Sequence, residues 1–214
     1  MTKAEIISFV QNNLRKIDKT NKYHPVVLEK AITIAFNQGY GEIFDADPRL
    51  LDNYTRTYGA SGTPIAITAD ANTGIYTSTL PEEYVPFSDK NSGVRHIATE
   101  AISASKFFPV AKREFEILSN TLAGELSGEA PSVDDYTDER CYYVVRDTTV
   151  EYHITATTAS NGVRMDIVIP FDKYLGDDVV IIPFAKDAQL ISTVIDMLRA
   201  IPPVDLKDNN ADIG

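Results

Sequence analysis

The stretch MDIVIPFDKYLGDDVVIIPFAKD gathers Asp172, Asp177 and Asp178 between two Ile-Pro edges, Ile169-Pro170 and Ile182-Pro183. Clustered carboxylates in a loop can hold a cation or divide general acid and base work between them. Asp177 and Asp178 are the nearest thing in the chain to a hydrolytic carboxylate pair. The same residues can instead keep a turn hydrated. The loop lacks a neighbouring ligand histidine and a glycine turn suited to a metal, so a solvated connection is expected. Three other acidic stretches invite the same question. DADPRLLD supplies Asp45, Asp47 and Asp52, DDYTDE supplies Asp134, Asp135, Asp138 and Glu139, and DNNAD runs from Asp208 to Asp212. None carries the glycine and terminal glutamate of a calcium-binding loop. Solvated charge is the expectation for all three.

The three histidines, His24, His96 and His153, are not spaced with a second ligand type as a metal motif requires. Each is expected to be a structural or surface histidine. Cys141, the single cysteine, sits in the apolar run RCYYVVRD and is expected to be a small buried hydrophobe, with no disulfide possible inside one chain. The sequence holds no GxSxG, GxxxxGK[ST], GxGxxG or HExxH. No catalytic, cofactor-binding or metal-binding residue is therefore assigned, no cofactor is expected, and the chain is not expected to be an enzyme.

Composition narrows the partners. A formal net charge of −11 across 214 residues argues against gripping nucleic acid by charge neutralisation. An acidic surface can still lie beside DNA that slides past it. The opening residues place Lys3 and Glu5 ahead of an amphipathic stretch, which predicts no signal peptide. No run approaches the apolar length of a membrane span. A soluble protein from a reducing compartment is expected.

The elements that must position these residues follow from periodicity. Thr2-x-x-Glu5 is a capping-box pattern, and Ile6, Phe9, Val10, Leu14 and Ile17 follow at helical spacing. A second helix begins near Pro25, with an apolar stripe through Leu28, Ala31, Ile32, Ala35 and Phe36, and Gly39 is placed as its C-cap. Short strands are expected in TPIAITAD, GIYTSTLP, EYVPF and GVRHIATEAIS, and a helix from about 110 to 122. RCYYVVRD, TTVEYHITAT and GVRMDIVIPF give the clearest strand signal, joined by RDTT and TASNG as two hairpin connections. Asp187 caps a last helix through Leu190, Ile191, Val194, Ile195 and Leu198, which Pro202-Pro203 stops.

This order predicts an α+β fold. A helical layer is expected from an N-terminal helical hairpin over 1–45 packed with a C-terminal helix over 187–201. An antiparallel β lobe, sandwich- or barrel-like, is expected over 54–185, with the inserted helix within it and a polar tail over 202–214. Apolar and aromatic stretches around YTRTYGASGTPIAIT and DANTGIYTSTLP carry few charges. Such strand edges invite pairing with another chain.

Taken together, MTKAEIISFVQNNL, KYHPVVLEKAITIAFNQGYGEIF, STLPEEYVPF, GVRHIATEAISASKFFPVAKREFEIL, YYVVRDTTVEYHI and IPFAKDAQLISTVIDMLRAIPPVD carry a resemblance over nearly the whole chain. The chain resembles the head-to-tail connector, or tail tubular, ring proteins of short-tailed bacteriophages, and most of all a neck or tail ring protein of a crAss-like phage. The resemblance implies a virion protein made in the bacterial host cytoplasm. It implies a dodecameric ring of identical copies below the portal. The implied partners are further copies, adjacent portal, ring or tail proteins, and double-stranded DNA passing through the lumen without specific binding; no membrane is implied. Two other expectations come from different classes: a module that helps assemble the virion or load its cargo, and a tail-associated hydrolase using Asp177 and Asp178.

Overall fold

The computed structural model describes residues 1–17, 23–59, 63–70, 75–87, 93–99, 107–117, 141–154, 159–185 and 187–200. The described residues are α+β. They divide into two compact units, Met1–Tyr40 with Tyr174–Gly214, and Gly41–Lys173.

The first unit is built on helices. Helix α1 spans Lys3–Ile17 and buries Ile6, Val10 and Leu14, three residues four apart on one face. Its start is the capping box read in the sequence. Glu5 N–H donates to Thr2 Oγ1 at 3.2 Å, and Thr2 N–H donates to Glu5 Oε2 at 2.8 Å. The last helix, α3, spans Asp187–Ala200 and buries Leu190, Val194 and Leu198 at the same spacing. The two helices lie in contact. Each buried aliphatic side chain in such a seam is worth about 1.5–3 kcal/mol of transfer free energy.

Helix α2 spans Pro25–Ala46 and does not stop at Gly39. A Cβ built on Gly39 would lie 2.9 Å from Pro183 O and 3.0 Å from the Phe184 ring. The glycine is there because another segment runs against the helix, and a helix C-terminus was the wrong inference from it.

The second unit holds two sheets. One has the order β1 (Arg56–Tyr58), β8 (Arg164–Ile167), β4 (Val94–Ala98), all antiparallel. The other has the order β2 (Thr68–Ala69), β3 (Tyr76–Thr79), β7 (Thr149–His153), β6 (Cys141–Arg146), β5 (Phe107–Pro109). In it only β5 and β6 run parallel. Neither sheet closes into a barrel. Residues 83–87, expected as a strand, form none; Val85 is nevertheless buried and donates its N–H to Val168 O at 2.9 Å. Residues 112–117 are helical, and the rest of the expected inserted helix lies outside the described residues.

The RDTT connection is a hairpin: β6 and β7 pair directly, and Asp147 takes φ 49° in the turn. The second connection is not. Asn161-Gly162 does turn, with Gly162 at φ 63° and its N–H on Ala159 O, but it carries the chain out of one sheet and into the other. Strand β8 pairs with β1 and β4, never with β7. Met165 and Ile167 of β8, and Val168 and Ile169 just after it, are fully buried, so burial rather than turn type decides its partners.

Candidate functional site

The acidic loop after Phe171–Lys173 turns out to be a helix cap. Lys3 N–H donates to Asp178 O at 3.0 Å, and Ala4 N–H donates to Gly176 O at 3.0 Å. These are amides of the first turn of α1, which have no partner inside the helix. Lys3 itself is buried; its ammonium donates to Tyr174 O at 2.8 Å and pairs with Glu29. Asp178 closes its own turn, accepting from Leu175 N–H at 2.7 Å while its N–H donates to Leu175 O at 3.1 Å. One member of the candidate carboxylate pair is thus spent on backbone. Asp172 and Asp177 are exposed, and Asp177 meets no cation among the described residues.

Just past this turn the chain runs beside the N-terminus. Thr2 and Val179 form an antiparallel bridge, closed by Lys3 N–H on Asp178 O and by Val180 N–H on Met1 O at 2.8 Å. In this pairing the N–H and C=O of Val179 point away from Thr2. Side chains alternate: Val180 is buried, while Val179 is 74% and Ile181 54% exposed. Leu175 and Met1 are exposed beside them. The result is a short strand edge, apolar on its open side and flanked by carboxylates.

The other sequence-named residues are placed individually. His24 caps α2, with Leu28 N–H on its carbonyl at 3.0 Å and Val26 N–H on its Nδ1 at 3.3 Å. His153 faces Tyr142 across the strand pair, ring centroids 6.3 Å apart, and burial pushes its imidazole below the usual range. Cys141 is buried opposite Phe107. Asp47 caps the 3-10 turn Pro48–Tyr54 and pairs with Arg49, whose hydrogen bonds hold its carboxyl below the usual range. Asp45 is exposed. The candidates at 134–139 and 208–212 lie outside the described residues.

One cluster escaped the sequence reading. Asp52 accepts from Arg95 Nε at 3.2 Å through Oδ1 and lies 3.1 Å from His96 Nε2 through Oδ2. Arg95 also donates to Pro48 O at 3.0 Å. Neighbours on a regular strand point to opposite faces. A register shift in β4 between Val94 and His96 lets both side chains reach one carboxylate. Nothing in the local sequence signals a bulge, and Asp52 is 43 residues from Arg95. The pair His96–Asp52 has the form of a base and its orienting carboxylate, but no serine or cysteine is bonded to the imidazole among the described residues. The cluster ties the 3-10 turn to the three-stranded sheet.

Among the described residues, no group of three or more His, Cys, Asp or Glu could hold a metal ion, and no helix is long and apolar enough to cross a membrane. No family model, curated protein or solved structure matches this chain.

Proposed function

We propose that the chain is a non-enzymatic structural subunit of a bacteriophage neck or tail, assembling with copies of itself into a ring below the portal through which double-stranded DNA passes. The observation that carries this reading is the exposed apolar strand edge at Val179 and Ile181. An open edge with aliphatic side chains is a liability in a solitary protein and an interface in an assembly. The engagement of Asp178 in a turn, of His24 and Asp47 in caps, and of Asp52 and His96 in an ion-pair cluster supports a structural role over a hydrolytic one. The net charge of −11 suits a channel wall, since an acidic lumen does not retain a moving polyanion. The resemblance to connector rings supplies the dodecameric copy number, the virion location, and the neighbouring portal, ring and tail proteins.

Electron microscopy of the purified chain and of the particle that contains it tests the reading. Rings with the chain located in the neck or tail are the expected result. A chain absent from mature particles, or present without rotational symmetry, overturns it.

A further inference from the structure

The exposed edge has a counterpart at the far end of the same helix. The last turn of α1 presents Arg15, Lys16 and Ile17, all exposed, with Ile17 at 61%. Neither cation has an ion pair among the described residues. The N-terminal end of α1 is fixed to residues 176–180 by three backbone hydrogen bonds, Lys3 to Asp178, Ala4 to Gly176 and Val180 to Met1, the first and last of which make the Thr2–Val179 bridge. At 1.5 Å per residue, the two ends of this 15-residue helix lie about 20 Å apart. One end is apolar and acidic, through Asp177, Val179 and Ile181. The other is apolar and basic.

We infer that these two ends are the two halves of a self-association contact, in which Arg15, Lys16 and Ile17 of one copy dock on Asp177, Val179 and Ile181 of the next. The Arg15 and Lys16 cations are complementary to the Asp177 carboxylate between copies, which favours this orientation over the pairing of like ends. Because the patches differ and lie at opposite ends, the contact is head-to-tail. Such a contact leaves a free end on every copy and propagates until it closes into a ring. The inference rests on the ring reading for that closure. The edge is already shaped: the bridge to Thr2 holds Val179 and Ile181 outward, so little ordering is lost on docking. Two other occupants of the edge, the chain's own residues 204–214 and an unrelated protein, predict no involvement of Lys16 and Ile17.

The test uses the full chain at millimolar concentration, read by sedimentation velocity, with circular dichroism confirming that each variant folds. One variant is Lys16→Glu with Ile17→Glu, which removes the basic end. The other is Val179→Ser with Ile181→Ser, which removes the apolar edge. All four positions are exposed, so folding is expected to survive. The natural chain is expected to form oligomers larger than dimers, weakening as salt rises. Each variant alone is expected to associate about tenfold more weakly or worse. Mixed, the two are expected to give a heterodimer and nothing larger, because each retains the end the other lacks. A natural chain that stays monomeric, variants that associate as it does, or a mixture that stays monomeric overturns the inference. Rings that persist in both variants overturn this contact and leave the ring reading standing. Open oligomers that pass the mixing test but never close keep the contact and overturn the ring.

Discussion

Ser78 Oγ and Tyr152 Oη meet at 2.8 Å inside the five-stranded sheet, both buried. Ser78 lies opposite Val150, so Tyr152 is its diagonal neighbour on the same face. The Tyr152 side chain buries a large ring, and its hydroxyl finds its partner in this one short side chain. Removing either partner strands the other. Tyr152→Phe and Ser78→Ala are each expected to cost about 1–3 kcal/mol in urea unfolding, and the double variant less than their sum. Additive losses would show that the two hydroxyls do not act on each other. Burial also pushes the Tyr152 phenol far above its usual value of 10.0. The folded state then holds a proton that the unfolded state releases. This contribution is complete below pH 10 and is lost as pH rises beyond it. Tyr152→Phe is expected to flatten that alkaline fall.

His153 gives the opposite dependence at acid pH. On the other face of β7, it faces Tyr142, and burial lowers its pKa below the ordinary 6.5. The unfolded chain binds the proton more readily than the folded one. Stability is therefore complete above about pH 6.5 and falls as the pH drops through that value toward the folded pKa. His153→Gln is expected to reduce the slope of unfolding free energy between about pH 7 and pH 5. An unchanged slope would show that His153 titrates alike in both states.

What could be read from the sequence divides along physical lines. Local rules held where they acted alone. The capping box Thr2–Glu5, the stripes Ile6–Val10–Leu14 and Leu190–Val194–Leu198, and the β6–β7 hairpin depend on residues a few positions apart. Long-range choices did not announce themselves. Gly39 carries the same letter as a C-cap, but the backbone of Pro183 determines its role. Gly162 sits in a turn as expected, yet the buried face of β8 sends that strand to the other sheet. The acidic loop at Asp177 and Asp178 was legible as lacking a metal motif. Its use as a cap for α1 was not, because the amides it serves are those of Lys3 and Ala4 at the other end of the chain. Ion-pair geometry was the least legible, since the Asp52 cluster requires a bulge that no residue type specifies.

Asp52 is the hinge of that cluster, and its loss should be felt beyond one ion pair. Arg95 is 11% exposed, so its guanidinium is partly withdrawn from water and loses the Asp52 carboxylate as an anionic partner in the substitution. Asp52→Asn is expected to destabilise by about 1–3 kcal/mol. Asp45, exposed, supplies the comparison: Asp45→Asn is expected within about 0.5 kcal/mol of the natural chain. Chemical denaturation of both variants decides it. Equal effects would reduce the Asp52 cluster to ordinary surface charge.

Two glycines in α2 separate propensity from packing. In an exposed helix interior, replacing glycine by alanine gains about 0.5–1 kcal/mol, because glycine loses more backbone freedom on folding. Gly41 is half-buried, but nothing lies within 4 Å of the position a Cβ would take, so the gain is not offset by crowding. Gly41→Ala is expected to raise the melting temperature. At Gly39 the same added methyl would press on Pro183 O at 2.9 Å and on the Pro183 ring at 3.0 Å. A backbone carbonyl cannot swing aside as a long side chain can, so the segment leading into α3 must shift or the helix must bend. Overpacking of this kind costs about 1–3 kcal/mol, which exceeds the propensity gain. Gly39→Ala is therefore expected to lower the melting temperature while Gly41→Ala raises it. Differential scanning calorimetry of the two single variants reads the sign directly. Two increases would mean that residues 183–184 do not press on α2 in solution, and the packing reason for a glycine in mid-helix would fail with them.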